Sequence, residues 1–448
     1  MTQSNEIDML NGPLLGKILK FAMPFAASSI LQQLFNSVDI AVVGRFASSE
    51  ALAAVGANTF LINLMINFFV GISIGASVIL ANHIGQRDSK SIRHAISTTA
   101  LLALGSGVFL LILGILVSRP VLELMKTPAN IIEDAILYLR IYFLGAPFFI
   151  IYNFGAAILR SKGDTKRPLY ILIVAGVINT ILNLILVIGF HMSVVGVGIA
   201  TDIANMFCAG VIVWLLHREE GAFKLHIRRM KIYGTELKRI LQIGVPAGVQ
   251  SMVFSLSNIF VQSAINGYGA AAVAGASVAQ SFDSYCYFLM SAFSGAAVTF
   301  ISQNYGAGQM ERCKRVFWIC LAGGVAVCFA GNMLFITFAD EVLSIFTTDA
   351  EVVHYAKLRM EYVLMFQAIA ASYDIPSSAM RGFGHSLEPA LLTIFGTCVI
   401  RLLWVFFITP IWPGFENLML CYPITWVITG ILVSTVFVLT IRKLERQT

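Results

Sequence analysis

Apolar and polar positions in this chain do not alternate at the two-residue period of a strand. Nor do they form the narrow apolar stripe of a surface helix. Apolar residues come in long unbroken runs, each closed by a short cluster rich in Lys, Arg, Gly or Pro. A helix needs about 20 apolar residues to cross the hydrocarbon core of a bilayer. That ruler predicts twelve helical spans, at approximately 18–43, 52–82, 92–117, 134–158, 168–190, 194–216, 238–265, 271–302, 315–338, 357–380, 388–409 and 418–441. The runs 52–82 and 271–302 are long enough to tilt or to protrude. Helices are expected because backbone groups in lipid must pair within their own segment. An outer-membrane barrel would instead show alternating segments of about ten residues. The predicted fold class is therefore an all-α polytopic membrane protein.

Composition agrees. Of 448 residues, 58% are hydrophobic and 12% charged, against about 25% charged in an ordinary soluble domain. Soluble enzymes, nucleic-acid-binding domains and disordered chains are excluded on that ground. The net charge of +6 reflects where Lys and Arg sit. The N-terminus, 83–94, 159–168, 217–240, 303–315, 381–388 and the C-terminus together carry 23 of them. The opposite connections and span ends carry six: Arg45, Arg119, Lys126, Arg140, Lys357 and Arg359. Only Arg401 remains, inside a span. The positive-inside bias places both termini in the cytoplasm. The start of the chain lacks a short apolar region followed by a small-residue cleavage site, so the first span is expected to serve as the anchor. The seven cysteines lack metal-type spacing and fall in or beside apolar runs, so they are expected to act as buried small hydrophobes.

The chain also repeats itself. Tyr152-Asn153, Arg160, Gly163 and Pro168 match Tyr373-Asp374, Arg381, Gly384 and Pro389, every position offset by 221. Pro24, Asn36 and Ala54-Val55-Gly56 match Pro246, Asn258 and Val273-Ala274-Gly275. Ser77-Val78 and Gly85 match Ala297-Val298 and Gly306. Six spans per half is an even number, so the repeats are parallel, related by an axis along the membrane normal. The expected organisation is an N-terminal six-helix lobe (1–216), a basic cytoplasmic linker (217–237) and a C-terminal six-helix lobe (238–448). Two such lobes around a central cavity suit a carrier acting as a monomer better than a pore, which usually needs a filter loop or a ring of subunits.

Polar residues inside spans carry the candidate chemistry, because a charge at the bilayer centre costs about 2.5–3.5 kcal/mol. Asp39 lies late in the first span. Asn179 and Asn183 stand four apart in the fifth, hence on one helical face. Thr201 lies in the sixth and Asn153 in the fourth. One carboxylate among amide and hydroxyl oxygens suits a dehydrated monovalent cation or a proton; the competing reading is a hydrogen-bonded network that fixes helix packing. Asp202 follows Thr201 and points about 100° away from it; it either strengthens that site or lies near the interface. In the second half, Asp374 and Arg401 either neutralise each other or face the cavity. Asp283, flanked by Gln280, Ser281, Ser284 and Tyr285, belongs to a strip that reads as water-facing. Gln250, Asn258, Gln262, Tyr287 and Met290 are further cavity candidates. Pro24 and Pro246, at matched positions, suit a bending element. No HExxH, GxGD or histidine cluster is present, so an intramembrane enzyme is not expected.

Several of these stretches resemble the multidrug and toxic compound extrusion (MATE) family. They are Pro24 with Asp39, Gly44-Arg45 and Ala54-Val55-Gly56, then Leu159-Arg160-Ser161-Lys162-Gly163-Asp164, Asn179 with Asn183, Gly198-Ile199-Ala200-Thr201, and Met380-Arg381-Gly382-Phe383-Gly384. The resemblance runs from about residue 15 to 441 and is closer to the DinF-like bacterial branch. It implies a two-lobed exporter in the cell membrane that exchanges Na⁺ or H⁺ for amphipathic, often cationic compounds and needs no cofactor. It also implies a cation site on Asp39, Asn179, Asn183 and Thr201, with Asn153 nearby. Asn183 departs from members that have a second aspartate there. A lipid or lipid-linked-saccharide flippase of similar architecture is the alternative, with Arg401 recognising phosphate.

Overall fold

The computed structural model describes residues 6–46, 49–125 and 127–446. Lys126, one of the opposite-side charges, lies outside them, as do residues 1–5 of the expected first lobe and residues 447–448 of the second. The described chain is helical almost throughout. The first half comprises α1 (Leu14–Phe46), α2 (Ser49–Gly85), α3 (Ser89–Leu124), α4 (Ile132–Ser161), α5 (Lys166–Asn183) and α6 (Ser193–Arg218). The second comprises α7 (Gly234–Asn266), α8 (Ala270–Gly306), α9 (Met310–Thr337), α10 (Ala339–Ser344), α11 (Ala350–Tyr362), α12 (Ala371–Gly382), α13 (Leu387–Thr393), α14 (Ile400–Leu403), α15 (Thr409–Ile411), α16 (Phe415–Met419) and α17 (Cys421–Glu445).

Among the described residues, eleven helical stretches are long and apolar enough to cross a membrane. Each coincides with a predicted span. The exception is the run predicted at 357–380, which is broken into α11, a 3-10 turn at Leu364–Ala370 and α12. That stretch carries Lys357, Arg359 and Glu361, which lower its hydropathy, and Gln367, whose side chain donates to the Asp283 carbonyl at 2.7 Å instead of facing lipid.

Local sequence explains where helices begin and end. The Asp88 carboxylate caps α3, accepting from the backbone N–H groups of Lys90 (3.0 Å) and Ser91 (3.1 Å). The Ser91 hydroxyl and those bonds hold Asp88 below the usual carboxylate range. α4 and α12 end alike, on the repeated glycines. Gly163 has φ +93° and Gly384 φ +91°. Gly163 N–H bonds Arg160 O and Asp164 N–H bonds Leu159 O; Gly384 N–H bonds Arg381 O and His385 N–H bonds Met380 O. This is the paired cap that satisfies the last carbonyls of a helix and needs a left-handed residue.

Packing divides the chain into two compact units, residues 1–8 with 27–248, and 9–26 with 249–448. The expected lobe boundaries at 216 and 238 thus differ from the packing boundaries, and small residues give the reason. In the first unit, a Cβ added to Gly71 of α2 would run into the Gly248 backbone, and one added to Gly75 would lie 2.7 Å from Gly244, so α7 up to Gly248 packs on α2. In the second unit, Ala22, Ala26 and Phe25 of α1 pack with Ala292 and Leu289 of α8. Pro24 and Pro246 each stand two residues before the point where the chain passes from one unit to the other, and α1 and α7 stay helical through them.

Candidate functional site

In the first unit the Asp39 side chain is buried, 8% exposed. It reaches its partners because α1 and α5 come close. Gly176 lies one turn before Asn179, and a Cβ there would overlap the ring of Phe35, one turn before Asp39. Only a residue without a side chain admits that ring. The Asn183 amide donates to Asp39 Oδ1 at 2.5 Å, and the Thr201 hydroxyl donates to Oδ2 at 3.1 Å. Asn183 Nδ2 also lies 3.2 Å from Asn179 Oδ1, and the Asn179 amide donates to Thr201 Oγ1 at 3.3 Å. One carboxylate, two amides and one hydroxyl therefore close a ring of side chains from α1, α5 and α6. Asn183 Oδ1 is buried and accepts no protein hydrogen bond among the described residues. No cationic side chain among the described residues pairs with Asp39. Directly after Asn183 the helix widens into a π-turn at Leu184–Gly189, a local irregularity frequent at functional positions.

Two expected neighbours do not join this ring. Asn153 donates to Phe149 O of its own helix at 2.9 Å. The amide is satisfied locally and does not contact Asp39. Asp202 turns toward α4, where Gly145 makes room for it, and its Oδ1 is buried without a hydrogen-bond partner among the described residues.

The second unit distributes its polar groups differently from the expectation. Asp374 and Arg401 do not pair. Asp374 accepts from the Ser294 hydroxyl at 2.5 Å, whereas Arg401 Nη1 donates to Asn258 Oδ1 at 2.8 Å and Nη2 to Thr425 Oγ1 at 3.5 Å. Asp283 is buried and ion-paired, with Arg359 Nε and Nη2 each 2.9 Å from its Oδ2, so the water-facing reading does not hold for this residue. The cationic partner offsets part of the cost of burying this carboxylate. Gln250 accepts from Arg381 at 2.6 Å, and Gln262 donates to Asn266 at 3.2 Å. Met290 is fully buried in the α8–α9 packing near Gly324, while Tyr287 is 38% exposed. All seven cysteines are buried and unbridged, as expected. Sequence reasoning does not single out Arg359, Ser294 and Arg381 as site partners. Their partners lie 76, 80 and 131 residues away, and spacing carries no signal for such pairs.

A duplicated, all-helical membrane chain with a buried polar ring in one unit and a buried guanidinium in the other has the build of a transporter. Comparison with known proteins makes that specific. The family model described as MatE matches this chain twice, at residues 24–185 and 246–407. A protein named probable multidrug resistance protein YoeA, from Bacillus subtilis, is 30% identical over 387 residues, covering 84% of this chain and 82% of its own length. A probable multidrug resistance protein NorM from Thermotoga maritima is 27% identical, with 86% and 84% covered. An FAD transporter from Shewanella oneidensis is 25% identical, with 94% of each chain covered. Among solved structures, the outward-facing conformation of a multidrug resistance MATE family transporter shares the fold over the full length of both chains, with TM-score 0.91 and 21% identity. The chain belongs to the MATE family and is a multi-pass membrane transporter, not an enzyme. The family match spans two repeats, in line with the duplication read from the sequence.

Proposed function

We propose that this chain is a secondary exporter of the cell membrane that expels amphipathic, cationic organic compounds in exchange for Na⁺ or H⁺. Alternating access of two lobes would carry the exchange, with both termini in the cytoplasm and one chain sufficing. The observation that carries the coupling is the buried Asp39 carboxylate, bonded to Asn183 and Thr201 and paired with no cationic side chain among the described residues. A network that served packing only would not need the charge, since a neutral asparagine at position 39 could accept from Asn183 on Oδ1 and donate from Nδ2 to the Thr201 hydroxyl. A carboxylate so placed binds a proton or a monovalent cation when one arrives. The unpartnered Asn183 Oδ1, with Asn179 Oδ1 and Thr201 Oγ1, then supplies further oxygens on rotation of the amide. Occupation drives transport only if the ion binds the two lobe states with different affinity. Pro24 and Pro246 stand where α1 and α7 pass between packing units, which suits hinges. Of the cavity candidates in the second half, Gln250, Asn258, Gln262, Tyr287, Asp374 and Arg401 remain for the cargo side, while Asp283 and Met290 are taken up by ion pairing and packing. Relatives of similar coverage carry names that differ in cargo, multidrug in one and FAD in another.

The test is cargo uptake by the purified chain in proteoliposomes, under an imposed sodium gradient and separately an imposed pH gradient. Wild type accumulates an organic cation under one of the two. Asp39→Asn, matched for the amount inserted, loses gradient-driven accumulation, since an ion that no longer discriminates between the two states shifts nothing. Undiminished accumulation by Asp39→Asn would reject the coupling. Accumulation of a lipid intermediate on deletion of the gene, without drug sensitivity, would instead favour the flippase.

A further inference from the structure

The two repeats do not carry the same buried charges. The two family matches begin at 24 and 246 and end at 185 and 407, an offset of 222 at both ends. In that register Asn36 corresponds to Asn258 of the other repeat and Asp39 to Val261. The second unit thus lacks the carboxylate of the first and carries a guanidinium, Arg401, in the span that corresponds to the fifth.

Arg401 is 0% exposed. It lies in α14, between π-turns at Ile394–Val399 and Trp404–Ile408. Among the described residues no carboxylate lies within ion-pair distance of it. Its hydrogen bonds go to neutral oxygens, Asn258 Oδ1 at 2.8 Å and Thr425 Oγ1 at the long distance of 3.5 Å. Its Nε–H is buried and donates to no protein acceptor among the described residues. The rings of Tyr422 and Phe254 cover the guanidinium, with centroids 4.5 and 5.6 Å from Cζ. Among the described residues the other cation on the Tyr422 ring, Arg359 at 5.3 Å, is already neutralised by Asp283. The cluster of two guanidiniums and one carboxylate therefore carries an uncompensated positive charge, located on Arg401. Asn258 and Phe254, in contact with it, are only half-buried.

A guanidinium edge made of Nε–H and Nη2–H matches the two oxygens of a carboxylate or phosphate. On Arg401 that edge holds one unpartnered donor and one long bond. Stacked rings fix the plane of the fork without competing for its hydrogens. We propose that Arg401, with Asn258, Thr425 and the ring of Tyr422, is the receptor in the second unit for an oxyanion of the transported molecule. The favoured cargo then carries a carboxylate or phosphate beside any cationic group. This inference rests on the exporter reading only for the direction in which the bound molecule moves; binding itself does not depend on it.

The experiment measures equilibrium binding by fluorescence anisotropy to the full chain in detergent, with a rhodamine bearing a free carboxylate and with its methyl ester. Wild type is expected to bind the acid at least tenfold more tightly than the ester. Arg401→Gln removes the preference and Arg401→Lys, a point charge without the fork, recovers part of it. Asn258→Asp sets a carboxylate against the guanidinium and also removes the preference, in a chain whose buried charge is neutralised and whose folding is therefore protected. Displacement of the acid probe by benzoate or inorganic phosphate from wild type assigns the oxyanion to soluble cargo. Displacement only by phosphatidylglycerol assigns it to a lipid headgroup. Equal affinity for acid and ester in wild type, or a preference that survives both Arg401→Gln and Asn258→Asp, overturns the proposal. Asp39→Asn separates the two readings: it loses gradient-driven transport if coupling holds, and keeps the acid preference if the Arg401 site holds.

Discussion

At the scale of single residues, the chemistry depends on a side chain that is missing. Gly176 lets the Phe35 ring into the surface of α5, and this approach brings Asp39 to Asn183 and Thr201. Gly176→Ala is expected to destabilise the protein by about 1–3 kcal/mol, the usual cost of overpacking. It should also weaken the proposed ion-driven transport, because α1 is pushed away from the amides. Adding Phe35→Leu should recover part of the stability. Thermal unfolding in detergent reads both, and an unchanged midpoint in Gly176→Ala would show that the ring moves freely aside. The Asp39 set is legible in the sequence itself. A carboxylate in an apolar run has few bland explanations, and the four-residue spacing of Asn179 and Asn183 dictates a shared face. The ion pair of Asp283 with Arg359 is not legible there, since Arg359 reads as one more charge near a span end.

At the scale of elements, the repeated glycine cap is the clearest link between sequence and backbone. Gly163 and Gly384 hold nearly equal positive φ angles in equivalent turns. Alanine at either is expected to cost about 1–2 kcal/mol for the left-handed conformation alone. The two sites are not equal, however. A Cβ at Gly163 would also lie 2.7 Å from Ile7 O, while one at Gly384 meets nothing within 4 Å. Gly163→Ala should therefore lower the melting midpoint more than Gly384→Ala, and the reverse order would contradict the packing of the N-terminal segment there. Just beyond α6, Glu219 accepts from Lys162 Nζ at 2.6 Å and Arg167 Nη1 at 2.5 Å. Burial pushes the Glu219 carboxyl up, but the hydrogen bonds and charges of Lys162 and Arg167 outweigh it and hold the group below its ordinary range. A depressed carboxylate stabilises the fold above its unfolded pKa, about 4.3 for Glu, and loses that contribution as pH falls through the folded value. The stability gap between wild type and Glu219→Gln is thus expected to be full near neutrality and to shrink below about pH 4. A gap that is constant with pH would show that the pair contributes no linkage.

At the scale of the whole molecule, the distribution of Lys and Arg carries the topology. A fluorescent protein fused after Thr448 is expected to fold and fluoresce, and alkaline phosphatase at the same point to stay inactive, as both report a cytoplasmic terminus. Active phosphatase there would reverse the orientation. The proposed coupling is also a property of the whole molecule. Moving the lobes from nearly all in one state to nearly all in the other requires the ion to favour one state by about 10⁴-fold. The Asp39 ring can supply a difference of that kind only if its oxygens converge in one state and part in the other.

Membrane residence, helix number to within the interrupted tenth span, the duplication and the Asp39 set were all determined by the sequence alone. Each rests on local physics: the length of an apolar run, the sign of its flanking charges, the spacing along one helix. Tertiary structure decided which buried charges are matched. Asp283 found Arg359, Asp374 found Ser294, and Arg401 was left with neutral partners and two aromatic faces. It also decided that 9–26 and 238–248 pack with the opposite halves of the chain from those that the repeat suggested. Such pairings join residues far apart in the chain through the fit of small side chains between helices, and no periodicity within one segment encodes them.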